Sequence, residues 1–436
     1  MAEAPAPPPL LLRWQGLLPA TDQQRQRLSW WASILLMVLL AGLPFLTRTG
    51  LGLVVLACGA LWILWSSVSQ PKRIGAISAL VLVFLGIAVL ATGFSPVPTA
   101  AVKGLIKLLS YLGVYALMRQ LLADRPEWWD RLVAAMLGGE VLSSVMALRQ
   151  LYGPTEELAL WADPNSVSAG TIRIYGPLGN PNLLAGYLVP ILPLAFVALI
   201  RWRGWGARCY AAVALVLGAT ATMFSYSRGG WLGMLAALGV LVLLLVLRAI
   251  RSWPKLWRRL VPIALLVLAG MALAIAVTQV DPIRTRVASL LAGRGDSSNN
   301  FRINVWLAAV EMIQDRPWLG IGPGNAAFNA IYPLYQQPKF NALSAYSVPL
   351  ELLVETGIPG LIAVLGLAGA SVRNGLRALR STADLALPWL GCLAAIAGLV
   401  IQGATDTIFF RPEVQIIGWF CLATLSPAHQ TTQTDP

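Results

Sequence analysis

Residues 230–248 read GWLGMLAALGVLVLLLVLR, with no ionisable side chain before Arg248. As a helix this run is long enough to cross about 30 Å of hydrocarbon. A surface helix of a soluble protein keeps one polar face, and this stretch has none. Comparable runs recur at 30–46, 51–68, 76–92, 100–122, 132–152, 183–200, 208–227, 260–279, 346–372, 385–405 and 407–425. The sequence therefore predicts an all-α fold, a polytopic membrane helix bundle of about twelve spans. The short alternating segments of a membrane β-barrel are absent from it.

Composition agrees with this class. Of 436 residues, 57% are hydrophobic and 12% charged, and the mean hydropathy is +0.69. Soluble domains carry about a quarter charged residues. The formal net charge is +13. Its lysines and arginines gather at one set of helix ends, among them Arg25, Lys72, Arg73, Arg125, Arg203 and Arg251. The opposite ends and short loops hold few, namely Arg48, Arg149, Arg173, Arg228 and Arg411. The positive-inside rule then predicts that both termini are cytoplasmic and that the long loop between the ninth and tenth spans faces out. The basic balance reports topology and not a nucleic-acid partner. Cys58, Cys209, Cys392 and Cys421 all fall in apolar runs without the spacing of a metal site or a disulfide framework, so neither metal nor cofactor is expected. The one histidine, His429, lies in the polar C-terminal tail.

Three parts follow from this reading: a cytoplasmic tail at 1–29, a transmembrane domain at 30–425 and a cytoplasmic tail at 426–436. The transmembrane domain includes a periplasmic loop at 280–345. Within that loop Phe301, Val305, Ala308, Ala309 and Met312 recur at helical spacing, predicting an amphipathic helix over 301–313. Asn299 or Asn300 is expected to cap it, and Asp315-Arg-Pro-Trp to stop it. The glycines of 320–325 (GIGPGN) read as a turn; a dinucleotide loop needs a preceding strand, which is missing here. The Asn-Pro of 175–182 (YGPLGNPN) is expected to start the helix at 183. Tyr332, Tyr335 and Trp318 are candidates for stacking on sugar rings.

Ionisable residues inside spans are costly and mark cavities or partners. Glu140 lies in the middle of its span, and Glu351 and Glu355 lie one helical turn apart with Ser347 on the same face. Lys103 and Lys107 are also one turn apart, near the outer end of theirs, and Asp406 shortly precedes Arg411. Arg228 stands in an outer turn, 225–231 (SYSRGGW), against the charge bias. Guanidinium groups recognise phosphate and carboxylate in a planar, bidentate way. Arg228, Arg302, Lys103, Lys107 and Arg411 are therefore expected to form one electropositive pocket for an anion at the outer leaflet, such as a lipid diphosphate.

On these residues the chain resembles the O-antigen ligase and polymerase-like superfamily of bacterial inner-membrane proteins. The resemblance covers most of residues 100–425. It is carried by Arg228 in its Ser-Arg-Gly turn, Arg302 and Trp306 in the long loop, the run 315–325 (DRPWLGIGPGN), Glu355-Thr-Gly and Asp406. The stretches 175–182, 343–347 (LSAYS) and 406–412 (DTIFFRP) look more closely like a cyanobacterial subgroup, the IctB type, labelled as bicarbonate transporters. The superfamily resemblance implies a metal-independent inverting glycosyltransferase in the inner membrane. It would move a glycan from a polyprenyl diphosphate to an acceptor, with Arg228 and Arg302 holding the diphosphate and Asp406 also required. The implied partners are membrane lipids and either that lipid-linked glycan or bicarbonate. Lys103, Lys107, Arg411, Glu351 and Trp306 complete the expected substrate-binding set. The family's histidine base is replaced here by Tyr346, followed by Ser347. A tyrosine with its ordinary pKa near 10 is a base only if an arginine lowers it. Glu355 or Glu351 is the alternative base. The remaining alternatives are bicarbonate transport, or a non-catalytic part in carbon uptake.

Overall fold

A computed structural model describes residues 21–69, 74–153, 173–279, 284, 293–381 and 386–426, without side chains at a few positions between 269 and 277. The N-terminal tail to residue 20, most of the 153–182 loop, the start of the 280–345 loop and the C-terminal tail with His429 lie outside the described residues. Among the described residues the regular structure is entirely helical. In chain order the helices are α1 (Asp22–Gly42), α2 (Arg48–Val68), α3 (Ala76–Gly93), α4 (Pro98–Asp124), α5 (Trp128–Arg149), α6 (Pro181–Arg201) and α7 (Trp205–Phe224). They continue as α8 (Arg228–Ala249), α9 (Lys255–Gln279), α10 (Ser297–Asp315), α11 (Asn325–Ile331), α12 (Val348–Arg377), α13 (Ala386–Gly403) and α14 (Pro412–Thr424).

Among the described residues, 9 helices are long and apolar enough to cross a membrane: α2 to α8, α12 and α13. The expected spans 30–46, 260–279 and 407–425 correspond to α1, α9 and α14, which are not among them. In α14 the reason is length. Residues 408–410 form a 3-10 turn, Pro412 opens the helix, and its 13 residues rise only about 20 Å. Helix α1 starts early, at Asp22, and its first turns carry Arg25 and Arg27.

Helix α6 forms the centre. It is apolar on every side and buried on nearly every side, packed against α7, α8 and α13. Helices α8 and α13 cross beside it where glycine faces glycine. A Cβ on Gly233 would lie 3.0 Å from the Gly398 carbonyl oxygen, and one on Gly398 would lie 2.9 Å from that of Gly233. Small residues at such crossings let backbones approach and give membrane helices their packing energy.

Helix α12 is broken at Gly357, whose φ of 66° and ψ of −168° are non-helical. The sequence Gly357-Ile-Pro359 dictates this. Pro359 has no N–H for the Glu355 carbonyl, and proline disfavours the helical conformation at the residue before it. The freed groups find partners in the loop after α10. Ile321 N–H donates to the Val354 carbonyl at 2.9 Å, Gly322 N–H to the Glu355 carbonyl at 3.0 Å, and Ile358 N–H to the Pro317 carbonyl at 2.8 Å. The glycines read as a turn do form one, with positive φ at Gly320, Gly322 and Gly324. Side chains there would run into Val354 and Glu355, Ala101 and Ser95, and Gly104 respectively. The backbone at Gly357 lies in a region open essentially to glycine alone. Gly357→Ala should therefore cost about 1–3 kcal/mol, read as a lower unfolding temperature of the purified protein, whereas Gly239→Ala, in open space on α8, should change little.

Candidate functional site

Several helix ends meet at one end of the bundle: the starts of α6, α8, α10 and α12 and the link between α13 and α14. Each start has a local cause. Asn180 caps α6 by accepting from Asn182 N–H and Leu183 N–H, so this helix opens at Pro181, two residues before the expected start. Ser227 caps α8, accepting from Gly230 N–H at 3.2 Å. Asp296 caps α10, accepting from Asn299 N–H at 3.1 Å. The expected caps, Asn299 and Asn300, lie inside α10, because Asp296 already takes the N-terminal donor. The apolar face expected for this helix is the one it buries: Val305, Ala308, Ala309 and Met312.

Arg228 opens α8 and donates through both terminal nitrogens to Asp296 Oδ1, at 3.2 Å each. The side chains are 9% and 0% exposed. An arginine in the first turn of a helix opposes the helix dipole. The buried carboxylate compensates for that as well as capping α10, so one oxygen ties the two helices together.

Arg302 lies on α10 and pairs with Asp406, Nη2 to Oδ2 at 3.8 Å. Asp406 Oδ2 also accepts from Asn182 Nδ2 at 3.2 Å, and Oδ1 accepts from Thr407 N–H at 2.8 Å. Asn182 in turn accepts from Arg173 Nη2 at 2.6 Å, while Arg173 Nε donates to the Ser225 carbonyl at 3.0 Å. A polar chain thus runs from Arg173 through Asn182 and Asp406 to Arg302. Burial pushes the Asp406 carboxyl above its ordinary range, while Arg302, the Thr407 N–H, Arg173 and the Ile408 N–H act in the opposite direction.

Tyr346 takes the left-handed conformation, with φ of 49°. Its ring stands edge-on to Phe301 at 5.5 Å. Burial first, and then the nearby Asp406 carboxylate, raise its phenol above the ordinary value, while Arg302 and Arg411 oppose this. The lowering that a tyrosine base requires is therefore not met, and the phenol is a protonated donor near neutral pH. Glu351 accepts a short hydrogen bond from Ala345 N–H, and Glu355 accepts from Gly324 N–H. Both carboxylates are buried and fasten loop backbone, Glu351 at Ala345, the residue before Tyr346, and Glu355 at the glycine turn. Ser344 and Thr407 join the two loops through their hydroxyls at 2.6 Å.

The expected five-cation pocket is only partly assembled. Arg228 and Arg302 are each paired with a buried acid. Lys107 and Arg411 flank the group, Lys107 donating to the Phe410 carbonyl at 3.2 Å. Lys103 is exposed, one turn nearer the start of α4, and no contact among the described residues ties it to the others. Trp306 is half-buried on α10, its indole N–H without a partner among the described residues. Glu140 belongs elsewhere, buried in α5 with Ser144 donating to it at 2.9 Å. Of the aromatic candidates, Tyr332 is stacked on Phe328 in the core and Tyr335 donates to Asp315. Trp318 remains 70% exposed. Sequence reasoning missed Asp296, and it left Arg173 and Asn182 without a role in the site. Asp296 could have been found as a capping residue just before a helical pattern. The other two gain meaning only from a contact more than 200 residues away along the chain, that of Asn182 with Asp406 (|i−j| of 224).

The family model of the O-antigen ligase matches residues 213–365. That segment holds Arg228, Asp296, Arg302, Tyr346, both glutamates of α12 and the break at Gly357, and it ends before Asp406. No curated protein matches the chain. With nine membrane-length helices among the described residues, the match supports a glycosyl-transfer type of function at a membrane. Removing one partner of a buried pair leaves a charge in a poor solvent. Asp296→Ala should therefore destabilise by about 3–5 kcal/mol. Asp296→Ala combined with Arg228→Met should recover much of that loss, both being read by thermal unfolding.

Proposed function

We propose that the protein transfers a glycan from a polyprenyl diphosphate to an acceptor hydroxyl at the outer face of a bacterial inner membrane. The observation that carries this reading is the meeting of Arg302, Asp406 and Tyr346 at one end of the bundle, with Arg228 close by. The acceptor oxygen attacks the anomeric carbon from the face opposite the diphosphate. The bond from that carbon to the diphosphate oxygen breaks, and the leaving group carries its electron pair away beside Arg228 and Arg302. The hydroxyl proton passes to Asp406, whose burial-raised carboxyl is better suited to accept it than an exposed aspartate. Tyr346, as a neutral phenol, donates a hydrogen bond to the acceptor or to a phosphate oxygen. Glu351 and Glu355 then act by holding the loops that carry Tyr346 and the glycine turn. Lys107 and Arg411 draw the anionic lipid head group toward the site, with Lys103 and Trp306 at its margin.

No observation favours bicarbonate transport. Transporters with broken helices offer freed carbonyls to their ions, whereas here Ile321 and Gly322 already occupy the carbonyls of Val354 and Glu355.

The test is the surface-glycan profile of a host deletion strain complemented with each variant. Arg302→Ala should lower transfer about 10²–10³-fold, the scale of one lost electrostatic contact to developing charge, and lipid-linked precursor should accumulate. Asp406→Asn should cost a similar factor, and Tyr346→Phe only about tenfold, as for one lost hydrogen bond. Tyr346→His should match or exceed wild type. An unchanged glycan profile with Arg302→Ala, in protein that inserts normally, would sink the reading.

A further inference from the structure

Gln402, in the last turn of α13, is 3% exposed, and neither its Nε2 nor its Oε1 has a hydrogen-bond partner among the described residues. Buried amides almost always have partners, and two unmet groups on one side chain are costly. The chain around it is shaped to hold this residue. A Cβ on Gly233 would lie 3.1 Å from the Gln402 Cβ, one on Gly229 would lie 3.6 Å from its Cγ, and one on Gly186 would lie 3.4 Å from its Nε2. Gln402 is thus seated between α6 and α8, four residues before Asp406.

Gln402 and Asp406 line the same small cavity, whose other walls include Leu399, Ile408, Phe409 and Val414. Its volume is about 10 Å³, which is room for one water molecule. The aspartate has an acceptor position to fill. A carboxylate offers about four acceptor sites, and Asn182, Thr407 and Ile408 supply donors to it. Arg302, at 3.8 Å, is an ion pair beyond hydrogen-bond length. We propose that one water molecule binds between the Gln402 amide and the Asp406 carboxylate, making Gln402 a positioning residue for the Asp406–Arg302 pair. The water accepts from Nε2 and donates to the carboxylate. This favours the charged aspartate and opposes the effect of burial. The other charged or titratable groups facing Asp406 are Arg302 from α10, Arg173 from the segment before α6 and Tyr346 from the loop before α12. The water site stands on its own; its bearing on proton acceptance in transfer rests on the reading above.

The test uses the full chain in lipid nanodiscs, unfolded thermally from about pH 4 to about pH 8. Wild type, Gln402→Leu, Asp406→Asn and the double variant are compared. Burial raises the folded-state pKa of Asp406, so its contribution to stability is present in acid and is lost as pH rises through that pKa. Losing the water raises this pKa further. Gln402→Leu should then cost little extra in acid and progressively more as pH rises. A shift of one pH unit lowers the folded-to-unfolded ratio about tenfold more at the alkaline end than at the acid end. In the Asp406→Asn background the Gln402→Leu effect should not vary with pH. A pH-independent loss, equal in both backgrounds, would mean that Gln402 only packs, and would overturn the proposal. If Gln402→Leu does not fold, Gln402→Asn in the same cycle and a high-resolution density map of wild type decide it. A solvent peak within hydrogen-bond distance of both side chains supports the site, and an empty cavity in such a map overturns it. None of these measurements uses a glycan assay. A positive cycle together with an unaffected Arg302→Ala strain would therefore retire glycan transfer and leave the water site standing.

Discussion

The lack of hydrogen-bonding solvent in hydrocarbon is the constraint from which the rest of this structure follows. Every backbone polar group at membrane depth needs a partner within the protein. Pro359 and Gly357 break α12, and the break leaves the carbonyls of Val354 and Glu355 and the amide of Ile358 to be satisfied from outside the helix. Residues 317–322 supply all three partners. The loop is thereby fixed against the bundle, with Ser95 and Gly104 on its other side. Helix α10, which runs directly into this loop, is carried with it, and so Arg302 comes to Asp406. A sequence feature that would weaken an ordinary helix is here the means by which an added segment is attached.

The two arginines at the site follow a common plan. Each is held in a partly buried position by a carboxylate from another element: Asp296 for Arg228 and Asp406 for Arg302. Neither acid serves a single partner. Asp296 also starts α10, and Asp406 also binds Asn182 and the Thr407 backbone. The guanidinium groups are therefore oriented by atoms that the fold needs for other reasons. Such preorganisation is what electrostatic catalysis requires, since donors fixed beforehand need not reorganise as charge develops.

Much of this was legible in the chain. Apolar run length gave twelve spans, of which nine are membrane-length helices among the described residues, and helical spacing gave α10 and its buried face. Ionisable residues out of keeping with a membrane pointed to Arg228, Arg302 and Asp406. What was not legible depended on distant contacts or on competition between local signals. Asp296 and the asparagines after it are all acceptable caps, and only the folded backbone selects among them. The segment 346–372 read as one span, although Gly357-Ile-Pro359 carried the signal for a break, because apolar run length does not register lost hydrogen bonds. Residues 407–425 read as another span, although Pro412 shortens the helix. Gln402 sits among apolar neighbours in sequence, and nothing there announces that its amide is sealed from solvent.

The left-handed backbone of Tyr346 has a consequence for descent. Among residues other than glycine, histidine, asparagine and aspartate occupy that conformation several times more readily than bulky side chains do. The peptide geometry at this position therefore suits an imidazole at least as well as the phenol it carries. Tyrosine and histidine codons differ in a single base, so the two residues are neighbours both in conformation and in mutational distance. A lineage could pass between a phenol and an imidazole at this loop tip without remodelling the backbone that carries it.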